Sequence, residues 1–131
     1  MTALDGEVTA APNGLRVATG TAIEQSDAFR DGLVEVQDTG SQLACEAVAA
    51  RPGDTVVDLC AGAGGKTLAL AAAMENRGRL IACDTDRNRL SRLSPRAGRA
   101  GATMIETRLF DPGRESEIGR ASCRERVSSV V

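Results

Sequence analysis

One stretch constrains this chain more than any other. Thr55-Val56-Val57-Asp58-Leu59-Cys60 is a β-branched run with few polar side chains, the pattern of a strand covered on both faces. It runs straight into the glycine-rich Ala61-Gly62-Ala63-Gly64-Gly65, and Lys66-Thr67 then opens a run of Leu and Ala that predicts a helix over 66–76. A strand, a glycine turn and a helix in that order commit the chain to α/β architecture. Residues 80–83 form a second buried strand that ends in Asp84, and Asp86 or Thr85 can cap a helix over 87–100 that Gly101 closes. Residues 102–107 read as a third strand, with Asp111-Pro112-Gly113 a turn beyond it. Upstream, 33–36 is a short β-branched run read as a strand. A helix over 42–50 follows, with Ser41 as its cap and Leu43, Ala44, Ala47 and Val48 at helical spacing. Alternation at this spacing implies parallel strands with right-handed crossovers, and therefore part of a doubly wound α/β sheet.

The two ends read differently. Residues 1–14 are small, polar and aperiodic, as in a linker or the end of an upstream domain, with Asn13-Gly14 a turn signal. Residues 118–127, IGRASCRERV, resemble the conceptual translation of a sequencing-library adapter joined to a gene fragment. The reading therefore sets 118–131 aside as a non-native tail and keeps 15–117 as the domain.

Composition closes off several chemistries. The 131 residues contain no His, so Ser-His-Asp, Cys-His and His-ligated metal sites cannot be built within this chain, and no metal site is expected. A formal net charge of −2 argues against coating nucleic acid by bulk charge, and two Phe without Trp or Tyr argue against a base-stacking platform. No apolar run approaches the roughly 20 residues a bilayer span needs, and no basic-then-apolar leader opens the chain. Four scattered cysteines without a C-x-x-C pair read as reduced, buried thiols in the cytoplasm.

The glycine turn is a ligand site on physical grounds. Amides at a helix start lack partners, the helix dipole favours an anion there, and glycine lets a ligand touch the main chain. Three ligand classes compete for it. A phosphate-cradling loop, G-x-x-x-x-G-K-[ST], fits Gly65-Lys66-Thr67, but Cys60 stands where its leading glycine belongs. The dinucleotide fingerprint fits Gly62 and Gly64, but its third glycine falls on Thr67. The third ligand is S-adenosylmethionine, which carries no phosphate. Its carboxylate suits the amide-rich loop and Lys66. Its ribose hydroxyls suit Asp84 at the end of the next strand, and its adenine amino group suits Asp111 after the third. Arg87, Arg89, Arg92, Arg96 and Arg99 crowd one predicted helix. They read as a solvated face or, more sharply, as an RNA-backbone footprint.

Asp58-Leu59-Cys60-Ala61-Gly62-Ala63-Gly64-Gly65-Lys66-Thr67 resembles the D-x-C-A-x-x-G-G-K-T loop of the Sun/NOL/NOP (RsmB-type) RNA cytosine-5 methyltransferases. Val36-Gln37-Asp38-Thr39-Gly40-Ser41-Gln42-Leu43 is similar to that family's V-Q-D-x-x-S-Q-L segment, and Ala82-Cys83-Asp84 with the following helix matches its second strand. The resemblance covers about 32–113. It implies the N-terminal part of a class I Rossmann-like methyltransferase sheet of about three parallel strands with flanking helices. It also implies S-adenosyl-L-methionine as donor, held by Cys60, Ala61, Gly62, Ala63, Gly64, Gly65, Lys66, Asp84 and Asp111, and RNA, ribosomal RNA in particular, as partner.

The family's chemistry uses a thiolate that adds to carbon 6 of cytosine, from a D-A-P-C strand end, and a second Cys in a later T-C segment. Neither segment is present here, so no residue is assigned as catalytic and Cys60 is read as packing within and shaping the donor loop. The expectation is an enzyme as the intact gene product, with this fragment inactive alone. The rival readings are a methyltransferase with another acceptor and a non-functional truncated product.

Overall fold

The computed structural model describes residues 4–111, Gly113 and the backbone of 125–128. Its centre is a four-stranded parallel sheet of β3 (Thr55–Asp58), β4 (Arg79–Asp84), β5 (Ile105–Leu109) and β6 (Glu125–Ser128), in the order β5-β4-β3-β6. Numbered within the sheet, that order is 3-2-1-4. The chain therefore reverses its direction of winding between β3 and β6, where an open α/β sheet places its ligand crevice.

The strands expected near 55–60, 80–83 and 102–107 are present, with boundaries moved by one to three residues. Val56 pairs with Leu80, and Ala82 with Thr107. The helices explain why both faces of β3 and β4 are apolar. Val56, Leu80 and Ala82 face α2 (Thr39–Val48), α3 (Gly65–Ala73), α4 (Arg87–Ser91) and α5 (Leu93–Arg99), burying Cys45, Leu70, Met74, Leu90 and Leu93. Val57, Ile81 and Cys83 form the opposite face, packed with Leu59 and Phe110.

Several expectations are corrected. Of the tail 118–131 only the backbone of 125–128 is described, and it lies alongside β3 as a fourth parallel strand; the rest lies outside the described residues. A backbone ladder needs only extended N–H and C=O groups, so a short polar segment can take a free edge whatever its side chains. The N-terminal residues form a small antiparallel ribbon of β1 (Glu7–Val8) and β2 (Leu15–Arg16), turned at Asn13 with φ 62°. Residues 33–36 are not a strand. They follow α1 (Asp27–Arg30) as irregular chain, and no sheet edge receives them.

Helix α2 starts earlier than expected because Asp38, not Ser41, is its cap; the Asp38 carboxylate accepts from the Ser41 amide at 2.9 Å. Its buried stripe is Cys45 with half-buried Val48, and Leu43 faces solvent. The single helix expected over 87–100 is two. Pro95 has no N–H to give the Ser91 carbonyl, so the ladder breaks at Arg92 and restarts with Pro95 in a first turn that tolerates it.

Candidate functional site

The loop after β3 is held from three sides. From β4, the Asp84 carboxylate accepts from the Gly62 amide at 2.8 Å with one oxygen and from the Asp86 amide at 2.8 Å with the other. The Ala61 amide donates to the Cys83 carbonyl at 2.8 Å. From inside β3, buried Asp58 accepts from the Thr67 hydroxyl at 2.7 Å and from the Cys60 amide at 3.3 Å, tying both ends of the loop to one carboxylate. From α5, Leu93 fills the space a Cβ on Gly64 would need, and an Arg96 Nη donates to the Ala63 carbonyl at 2.9 Å.

The consequence is an end of α3 with the amide geometry to receive an anion. The first ladder bond runs from the Leu68 amide to the Gly64 carbonyl, which leaves the amides of Gly65, Lys66 and Thr67 outside the ladder at the positive end of the helix dipole. Gly62 and Gly64 both sit at positive φ, 53° and 95°, a backbone state that side-chain-bearing residues adopt at a cost.

The structure brings the predicted residues together unequally. Cys60, Ala61, Gly62, Ala63, Gly64, Gly65 and Lys66 are contiguous, and Asp84 joins them through Gly62. Asp111 is exposed beyond β5. The preceding Phe110 amide donates to the Asp84 carbonyl at 2.8 Å, which puts Asp111 at the same C-terminal edge of the sheet. Each Asp84 oxygen accepts one backbone N–H and keeps acceptor capacity for a hydroxyl, so the chemistry of the donor set fits a ribose. The unladdered amides fit a carboxylate.

Cys60 is exposed rather than packed, whereas Cys45 and Cys83 are buried; burial pushes the Cys45 thiol up to about 11. Cys60 should therefore react with a maleimide at neutral pH while Cys45 and Cys83 stay protected, as read by mapping the labelled peptides. Modification of all three sites at one rate would contradict the structure.

The arginines divide: Arg87, Arg89 and Arg92 are exposed, as a solvated face requires, whereas Arg96 and Arg99 are half-buried and ion-paired. Arg96 and Arg99 share Glu35 at 3.4 and 2.6 Å, Arg99 stacks on the Phe29 ring at 4.0 Å, and Arg89 lies against Gly62. Sequence spacing could not show this, because Glu35 and Arg99 are 64 residues apart. The V-Q-D-x-x-S-Q string also gains a local meaning: Asp38 caps α2, and the Gln42 side chain donates to the Gln37 carbonyl at 3.1 Å. A cavity of about 970 Å³ lies beside this segment, reaching Gln37 and Gly65 but not Asp84, so it adjoins the loop crevice without being it.

Burial raises the Asp58 carboxyl above its ordinary 3.8, against the smaller opposing effects of the Thr67 and Cys60 hydrogen bonds. An acid raised in the folded state penalises folding at neutral pH, and the penalty fades as pH falls from above its native value towards 3.8. Wild type should therefore gain stability relative to Asp58→Asn between pH 7 and about pH 4, measured by urea midpoints. A relative loss over that window refutes the assignment.

Among the described residues no group of three or more acidic or cysteine side chains is gathered as for a metal ion, and no helix is long and apolar enough to cross a membrane.

A twisted parallel sheet with a glycine loop after its first strand and an acid ending its second defines a Rossmann-like fold of the class I methyltransferase kind. The chain belongs to the 16S rRNA methyltransferase RsmB/F family, whose family model matches residues 45–120. It is 36% identical over 94 residues to the ribosomal RNA small subunit methyltransferase B of Citrobacter koseri, covering 71% of this chain and 22% of that protein. It is 34% identical over 86 residues to the 28S rRNA (cytosine-C(5))-methyltransferase of Mus musculus, covering 66% of this chain and 18% of that one. The crystal structure of NSun6 from Pyrococcus horikoshii with SFG superposes with a TM-score of 0.66 at 27% identity, covering 71% of this chain and 24% of that one. The chain spans about a quarter of the length of the curated relatives it matches.

Proposed function

We propose that residues 15–117 are the donor-binding part of an S-adenosylmethionine-dependent RNA cytosine-5 methyltransferase that acts on ribosomal RNA. The observation that carries this reading is the bond from the Gly62 amide to Asp84, which sets a ribose-competent carboxylate directly beside the unladdered amides of α3. A carboxylate and a pair of ribose hydroxyls on one ligand, with no phosphate between them, match that spacing of an anion site and an acceptor. Relatives that are ribosomal RNA methyltransferases, one of them at cytosine-C(5), support the acceptor.

When bound, the donor supplies a methyl group on a sulfonium. The chain's own residues grip its two ends: Gly65, Lys66 and Thr67 amides the methionine carboxylate, Asp84 the ribose, and Asp111 the adenine edge. Cys45 and Cys83 are sealed in the core, and Cys60 belongs to the loop that receives the donor, so none of the three is assigned as the nucleophile.

Calorimetry on the 131-residue chain tests the donor. S-adenosylmethionine should bind and ATP should not; the reverse, or no binding of either, overturns the reading. The acceptor is tested with the full-length gene product, by mass-spectrometric detection of 5-methylcytosine in ribosomal RNA. Methylation of a protein or small molecule in place of RNA would overturn that half alone.

A further inference from the structure

The loop carbonyl of Ala63 is held by a guanidinium that belongs to another part of the fold. Arg96, on α5, donates to that carbonyl at 2.9 Å and lies 3.4 Å from the Glu35 carboxylate. Glu35 sits in the irregular 33–36 segment, and its other oxygen takes Arg99 at 2.6 Å. All three side chains are only 23–24% exposed. One carboxylate thus pairs with two largely buried guanidiniums, which locks their orientation in a way an exposed pair would not.

The peptide plane is rigid, so fixing the Ala63 oxygen also fixes the Gly64 amide, which donates back to the Ala61 carbonyl at 2.8 Å. Gly64 is the residue from which α3 starts, so the aim of the Gly65 and Lys66 amides depends on that plane.

We propose that Arg96, oriented by Glu35, is a positioning residue for the methionine end of the donor: it sets the direction of the α3 amides without touching the ligand. This rests on the donor reading above and goes beyond it, by assigning two residues far from the loop in sequence to one half of the ligand. Arg99 and the Phe29 ring complete the support by holding Glu35 from its other side.

The two halves of the ligand separate this role from general loosening of the fold. S-adenosylmethionine carries the carboxylate that the amides receive; 5′-methylthioadenosine keeps the ribose and adenine but lacks it. Calorimetry of the 131-residue chain with both ligands should show Arg96→Ala weakening S-adenosylmethionine about tenfold while 5′-methylthioadenosine binds as it does to wild type. Arg96→Lys, which keeps a cation but not the fork, should recover part of the loss, and Glu35→Gln should reproduce the loss in smaller measure. Equal weakening of both ligands, or none, overturns the positioning role while leaving the donor reading intact. A wild-type chain that binds neither ligand overturns the donor reading and this inference with it. Where Arg96→Ala unfolds, the Glu35→Gln variant carries the same comparison.

Discussion

Asp84→Ala is expected to weaken S-adenosylmethionine binding by about a hundredfold or more, and to weaken 5′-methylthioadenosine equally. The substitution removes two things at once. The ribose loses its acceptor, and the Gly62 and Asp86 amides lose theirs. Hydrogen bonds to a charged group contribute about 1.5–3 kcal/mol each, and 1.4 kcal/mol is a factor of ten in affinity, so loss of the ribose contacts alone reaches that size. Asp84 is 6% exposed, so water replaces the missing carboxylate poorly and the Gly62 amide is left without a partner. Asp84→Asn separates the roles. Its single carbonyl can serve one of the two amides, while its NH2 faces the other as donor against donor, so affinity should fall between wild type and Ala. Calorimetry with both ligands gives the answer, with denaturation midpoints as the folding control. Unchanged affinity in Asp84→Ala removes this residue from the site. The shared loss of both ligands also distinguishes Asp84 from Arg96, whose removal should affect the carboxylate-bearing ligand alone.

The parts of this fold legible in the sequence are those set by local chemistry. β3 and β4 are buried on both faces and therefore read as unbroken apolar runs, and Asp86 announces its helix because its carboxylate bonds the Asn88 and Arg89 amides two and three residues on. The misreadings come from competition between equally good local signals or from contacts far apart in sequence. Asp38 and Ser41 are both capping types, and only the turn geometry selects Asp38. The 33–36 run has the composition of a strand. Both of its charged and apolar faces are nevertheless committed elsewhere: Glu35 to Arg96 and Arg99, Leu33 and Val36 to solvent. The loop proposed to hold the donor is visible in the sequence as a glycine string, but the features that shape it are the Asp84 bond from 22 residues away and the Arg96 bond from 33 residues away. Chain pattern gives the site's position; the side chains that aim it come from tertiary structure.

Gly64→Ala should be the most destabilising single-methyl addition in the donor loop, costing about 2–4 kcal/mol of folding free energy. Two effects act in the same direction. Gly64 has φ 95°, outside the region an L side chain takes without strain, which alone costs roughly 1–2 kcal/mol. A Cβ there would also lie 1.9 Å from Leu93 Cδ1 and 3.1 Å from its Cγ, and Leu93 is fully buried, so the leucine cannot swing into solvent to make room. Neighbouring Gly65→Ala is the internal comparison. Its Cβ would meet nothing nearer than Gln37 Nε2 at 3.6 Å, an ordinary contact, and its backbone is helical, so its stability should change by less than about 1 kcal/mol. Combining Gly64→Ala with Leu93→Ala separates the two effects. The double variant should be less unstable than the sum of the single variants, because the cavity left by Leu93 accepts the new methyl, while the backbone cost remains. Urea denaturation of the four variants measures this. Strict additivity would mean that Leu93 does not confine the loop, and equal costs at Gly64 and Gly65 would mean that the turn out of β3 is not the one described.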